Sequence, residues 1–212
     1  MSLKNRVDSR LYRVPNFVSW FYPKRIWSKK NSDAVYLTFD DGPHPETTPW
    51  LLNVLDESDI RATFFFLGEQ AERFSELVVQ VKAAGHTVGH HGYEHISPKK
   101  QSFDEFQLNF DKSQSIASSN LYRPPYGEIK RSQAKYALKK GKLVMWNWMS
   151  YDWDDQLPVK QILNRFKKDI NKGDITVFHE NEKSKDRLKE IIPEIISIVR
   201  KKGLNFAALD KS

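Results

Sequence analysis

Ala34-Val35-Tyr36-Leu37-Thr38-Phe39-Asp40-Asp41-Gly42-Pro43 is an apolar run closed by two carboxylates and a turn. The run is short, contains β-branched and aromatic residues, and is stopped by Asp-Gly-Pro. These features predict a buried strand over 34–39. Working outward, apolar runs alternate with amphipathic ones. Further strands are expected at 62–67, 87–89, 121–123, 142–148, 175–179 and 204–207. Between them, apolar spacing predicts helices over 47–55, 71–84, 103–115, 133–140, 159–170 and 188–201, with Gly85, Gly141 and Gly173 as stop signals. Such alternation argues for α/β architecture with a parallel sheet. About seven strand–helix units suit a barrel or barrel-like sheet. Active sites in these folds lie at the C-terminal ends of the strands, so Asp40 and Asp41 stand where chemistry is expected.

The chain's 212 residues suffice for one domain with a substantial core. Residues 31–212 are assigned to that domain. Residues 1–30 form a basic N-terminal arm carrying Arg6, Arg10, Arg13, Lys24, Arg25, Lys29 and Lys30. The formal net charge is +7. Elsewhere Lys and Arg interleave with Asp and Glu, so a solvated surface is expected and no nucleic-acid partner. Whether the arm packs on the barrel or touches a membrane is left open, as is the oligomeric state. Cysteine is absent, which excludes disulfides and restricts metal ligands to His, Asp and Glu. No apolar run reaches the roughly 18 residues of a membrane span. The stretch at 17–22 falls short of the ~7–15 apolar residues of a signal peptide core. The chain is therefore expected in the cytoplasm, or exported by a leader that lies outside it.

Four of the six histidines, His86, His90, His91 and His95, fall within ten residues. Packing explains a lone histidine more easily than such a cluster, so metal binding is expected. Two His-x-x-x-His pairs exist, His86 with His90 and His91 with His95, and spacing alone does not choose between them. Gly85, Gly89 and Gly92 argue for a loop rather than a helix. One Asp and two His make a three-ligand site with open positions, as in catalytic zinc centres and in non-haem iron oxygenases. The spare carboxylate of the Asp40-Asp41 pair favours hydrolysis, which needs a base to take a proton from water. Taken alone, Asp-Asp-Gly-Pro reads more readily as a turn than as a pair of catalytic carboxylates. Arg123-Pro124-Pro125-Tyr126-Gly127, Asp152-Trp153 and Val177-Phe178-His179 also sit at or after predicted strand ends. Each has a bland reading: a Pro-rich turn, a surface acidic–aromatic cluster, and a half-buried histidine.

Together these segments, from about residue 34 to 208, resemble the NodB-like polysaccharide deacetylases, carbohydrate esterase family four. Thr38 to Pro43 is similar to the family's first motif, Gly85 to His95 to its histidine motif, and Arg123 to Gly127 to its third. Trp146 to Trp153 and Ile175 to Glu180 resemble the last two. The resemblance implies a distorted (β/α) barrel of about seven strands and hydrolysis of an N-acetyl amide, less often an O-acetyl ester. It implies that Asp41, His91 and His95 hold a divalent metal, usually zinc, with His86 structural. Asp40 would be the base, Arg123 would hold it charged and oriented, and His179, supported by Asp152, would protonate the leaving amine. The backbone N–H of Tyr126 would stabilise the oxyanion, and Trp153 and Val177 would line the acetyl pocket. The chain departs from the family pattern at His90 (usually Asn), Gly92 (Ser or Thr), Val177 (Leu) and Glu180 (Asp).

The expected substrate is an N-acetylated carbohydrate: N-acetylglucosamine units of peptidoglycan, chitin-type oligomers or an exopolysaccharide. A relative cleaving a non-sugar C–N bond, a metal-free carbohydrate-binding pseudoenzyme, and an anion-binding module driven by the arm are the alternatives.

Overall fold

The computed structural model describes residues 10–209. Arg6 and the rest of residues 1–9 lie outside them. The strands are β1 (Ala34–Asp40), β2 (Thr63–Phe66), β3 (Thr87–His90), β4 (Leu121–Tyr122), β5 (Lys142–Leu143), β6 (Trp148–Met149), β7 (Ile175–His179) and β8 (Asn205–Phe206). The helices are α1 (Asn16–Phe21), α2 (Thr47–Glu57), α3 (Gly68–Arg73), α4 (Ser75–Ala83), α5 (Phe103–Ala117), α6 (Arg131–Lys140), α7 (Val159–Asp169) and α8 (Lys185–Lys201). Strands run in the order β5-β4-β3-β2-β1-β7-β6, all parallel, with β8 paired to the start of β1. This is the parallel sheet that the alternation predicts and the distorted (β/α) barrel that the resemblance implies: seven parallel strands curled into a half-barrel and covered by helices.

β1 is central and buried along its whole length, which is why its sequence reads as a continuous apolar run rather than an alternating one. Phe39, Phe64 and Phe178 stack across β1, β2 and β7, with ring centroids 5.2 and 6.1 Å apart. Outside them, α8 buries Leu188, Ile191, Ile192, Ile195, Ile196 and Val199. The recurrence of these residues every three or four positions is the amphipathic period of a core-facing helix.

Two expected elements are divided. The helix expected over 71–84 breaks at Phe74 (φ −125°, ψ 49°). The break gives α3 and α4 separate buried stripes: Ala71 on α3, and Leu77, Val78 and Val81 on α4. The strand expected over 142–148 leaves the sheet after Leu143 and rejoins it at Trp148, because the chain crosses from one open edge of the curled sheet to the other.

The arm lies along both edges. Ile26 N–H donates to Leu143 O and Ile26 O accepts from Met145 N–H on the β5 side. On the β6 side, Val14 N–H donates to Asn147 O and Tyr12 O accepts from Met149 N–H. Backbone groups that an open edge would leave unpaired are thereby satisfied. Among the described residues no helix is long and apolar enough to cross a membrane.

Candidate metal centre and active-site groove

Asp40 is the last residue of β1, and Asp41 follows it with φ 79°. Continuing the strand would send the two side chains to opposite faces. The left-handed backbone at Asp41, a conformation Asp tolerates better than most residues, brings both into one groove.

Asp41 Oδ1 lies 3.4 Å from His95 Nε2 and 3.7 Å from His91 Nε2. One ligand atom from each of the three residues falls within 4.8 Å of the others. Oδ1 is buried and has no hydrogen-bond partner, a costly state for a carboxylate oxygen. Its partner Oδ2 is occupied, accepting from Asn181 Nδ2 at 2.7 Å. An unpaired carboxylate oxygen facing two imidazole nitrogens fits a divalent cation, and three donors leave coordination positions open. His91 Nδ1 lies 2.8 Å from Arg123 O. Assigning the proton to Nδ1 makes this a hydrogen bond and turns the Nε2 lone pair to the site. Burial pushes His91 down to about 3, outweighing the opposing Asp41, so the ring is neutral, as a metal ligand must be.

The loop carrying His91 and His95 is pinned at Gly92, whose φ of 83° suits glycine. Gly92 O accepts from Gly68 N–H at 2.9 Å and from Ser113 Oγ at 2.8 Å, and Tyr93 N–H donates to Asn109 Oδ1 at 2.9 Å.

Beneath this cluster Arg123 is fully buried. Its Nη1 donates to Asp40 Oδ1 at 2.6 Å and to Thr38 Oγ1 at 2.7 Å, and its Nη2 donates to Met145 O at 3.0 Å. Phe65 stacks under the guanidinium at 4.1 Å. Asp40 Oδ2 is left facing the site, 4.0 Å from His91 Nε2. Across the groove His179 ends β7. Its Nδ1 sits 2.8 Å from Asp152 Oδ1, and its backbone N–H donates to Asp152 Oδ2 at 2.8 Å. Ser150 Oγ also donates to Asp152 Oδ1. Burial alone would lower His179, but Asp152, helped by Asp41 and Asp40, raises it to about 9.

Asp40, Asp41, His91, His95 and His179 share a groove of about 780 Å³, lined also by Tyr126, Trp146, Met149, Tyr151 and Trp153. Tyr126 projects at its rim, 62% exposed, with its ring 4.5 Å from His95. Trp153 sets its ring edge to face against His179 at 4.4 Å. Val177, expected in the acetyl pocket, is fully buried in β7, in register with Thr38 and Met149. The groove wall beside His179 is instead formed by Met149, Tyr151 and Trp153. The other histidine pair is not brought together as a site. His86 Nδ1 accepts from Ala62 N–H at 3.1 Å. His90 packs between Phe110 and Tyr122, at 4.6 and 4.8 Å, and burial pushes it down to about 3.

A family profile described as polysaccharide deacetylase matches residues 28–144. A peptidoglycan-N-acetylglucosamine deacetylase of Bacillus cereus is 34% identical over 191 residues, spanning 84% of this chain and 68% of that protein. The chain belongs to the polysaccharide deacetylase family. The crystal structure of a peptidoglycan N-acetylglucosamine deacetylase in complex with 4-naphthalen-1-yl-N-oxidanyl-benzamide superposes with a TM-score of 0.80 at 32% identity, covering 91% of this chain and 94% of that one. A mutant of a carbohydrate esterase family four pseudoenzyme, with restored enzymatic activity, superposes at 0.78 with 25% identity, covering 88% and 70%.

In this member of the polysaccharide deacetylase family, three of the four departures from the family pattern have local explanations. Where the family pattern has a Ser or Thr, Gly92 and its neighbour Tyr93 are held by hydrogen bonds from Ser113 and Gly68 and to Asn109. His90 fills an aromatic slot. Glu180 is fully buried, accepts from Thr48 Oγ1 at 2.8 Å, and is raised by that burial well above the usual carboxylate range. Its carboxyl occupies the space a Cβ on Gly42 would need, 1.9 Å away. Sequence reasoning missed Asn181, and also His44 and Gln70, which line the groove. Asn181 stands two residues past His179, the one local hint that it reaches the same strand end.

Proposed function

We propose that this protein is a metal-dependent hydrolase that removes acetyl groups from N-acetylglucosamine units of a polymer, peptidoglycan first. The observation that carries this reading is the unpaired, buried Asp41 Oδ1 facing His91 and His95, with Asp40 beside it and His179 across one groove.

Asp41, His91 and His95 would hold the cation, and their mixed N and O donors suit zinc. When bound, it supplies Lewis acidity that makes water acidic near neutral pH and stabilises negative charge on the acetyl oxygen. Asp40 accepts the proton of the attacking water through Oδ2, while Arg123 ties down Oδ1. The N–H of Tyr126 supports the developing oxyanion. His179 starts protonated and gives its proton to the leaving sugar amine, and Asp152 keeps that proton on the ring until then. Trp153 and Met149 frame the acetyl methyl, with Val177 packed behind them. The products are acetate and a free amine. The similarity to peptidoglycan deacetylases supports the choice of polymer.

Acetate release is measured with zinc added, on peptidoglycan, chitooligosaccharides and acetylxylan. Release from an N-acetylated polymer, abolished by chelation, is expected. Oligosaccharide binding without acetate release would favour a pseudoenzyme and defeat the reading.

A further inference from the structure

Between Arg10 and Lys30 the chain carries six cations and no acidic residue. Part of this segment serves the fold: Tyr12 is buried, Arg10 pairs with Asp154, and Arg13 pairs with Asp174. Helix α1 does not, for it buries none of its residues. Phe17, Trp20 and Phe21 are 56%, 76% and 75% exposed. Their spacing places them on one helix face, and Phe17 and Phe21 meet edge to face at 6.5 Å. Exposed Tyr22 extends the patch, with the Arg25 guanidinium 4.1 Å over its ring. Lys24 and Lys30 are exposed beside it. Next to α1 a groove of about 590 Å³ is lined by Trp20, Arg25, Trp27, Lys29, Lys30 and Tyr36. The bordering acids, Asp33 and Asp174, pair with Lys172 and Arg13.

A contiguous exposed aromatic face marks an interaction surface. Rings flanked by Lys and Arg match a bilayer interface, where aromatics sit at headgroup depth and cations meet anionic phosphates. A second copy of this chain fits less well. A two-fold contact would set this all-cationic segment against itself. On either side of α1, Val14 meets Asn147 and Lys29 meets Gly173, just before β6 and β7, and Trp20 shares its groove with Tyr36 near the start of β1. That is the end of the barrel opposite Asp40, His91 and His179.

We propose that α1 and the basic turn after it dock on a bilayer containing anionic phospholipid, with the catalytic groove facing away from the membrane. The full chain is sedimented with vesicles of phosphatidylcholine alone or mixed with phosphatidylglycerol, at low and high salt. Binding to the mixed vesicles, weakened by salt, is expected. The double variant Trp20→Ser/Phe21→Ser should bind at least ~10-fold more weakly, and Lys24→Glu/Lys30→Glu several-fold. Circular dichroism checks that both variants fold. Should the first fail to fold, brominated lipid in the mixed vesicles reads the patch in the intact protein. Tryptophan quenching that Trp20→Phe diminishes supports docking, and no quenching overturns it. Failure of the wild type to bind anionic vesicles, or undiminished binding by the folded aromatic variant, also overturns it. So does a dimer in light scattering that the aromatic variant breaks while vesicles capture nothing.

Discussion

His91 and His179 are two histidines of one groove with opposite leanings. His91 is pushed down to about 3 and His179 up to about 9. Both are taken out of water, which on its own disfavours the charged ring. The difference lies in the partner of Nδ1. His91 faces the neutral carbonyl of Arg123, whereas His179 faces the carboxylate of Asp152. A carbonyl selects a tautomer and leaves the ring uncharged, while a carboxylate also stabilises the proton. A ligand and an acid can thus be made from the same residue a few ångströms apart.

Substitutions at four positions break or sharpen that contrast. The largest effect is expected from His91→Ala, which removes a proposed ligand. Titration calorimetry with zinc should show the tight site gone, and acetate release should go with it. Asp40→Asn should lower kcat by ~10²–10⁴ while zinc affinity stays near wild type. Loss of both would mean that Asp40 is a ligand rather than the base.

Asp152→Asn strips the proton-holding charge from His179. In the wild type the acid form persists below about 9, so kcat should fall as pH rises through that value. The variant's basic limb should move to lower pH, towards or below the ordinary 6.5. Stability follows the same sign. With the folded value raised, His179 contributes fully below the unfolded 6.5 and loses its contribution as pH rises through about 9. Thermal melts against pH should show that loss in the wild type and not in the variant. An unmoved pH–rate limb would place the acid elsewhere.

The smallest effect is expected from Asn181→Ala. Asn181 occupies Asp41 Oδ2 and so leaves Oδ1 to face the histidines. Its loss should weaken zinc binding by ~10–100-fold, the usual cost of removing a group that orients a ligand. Asn181→Asp, which sets a second carboxylate against Asp41, should not rescue it. Unchanged affinity would reduce Asn181 to its turn contacts with Lys183 and Ser184.

Much of this molecule was legible in one dimension. Apolar runs, glycine stops and the period of α8 carry the barrel, because strand burial and helix amphipathicity are local patterns. The chemical types at the strand ends were legible too, as was the idea of an Asp–His–His set, although spacing left two histidine pairs open until family resemblance chose one. Contacts between distant segments were legible only where the family resemblance implied them, as for Arg123 with Asp40 and Asp152 with His179. Asn181 meets Asp41 across 140 positions. The arm pairs with both sheet edges. Asp41 joins Asp40 only through a left-handed backbone angle. Nothing in a residue's neighbours along the chain records such facts, because each arises from packing that exists only once the sheet has curled. Residue types and their order stated which chemistry was on offer. The curling of the sheet set which nitrogen meets which oxygen, and so which histidine is neutral and which holds a proton.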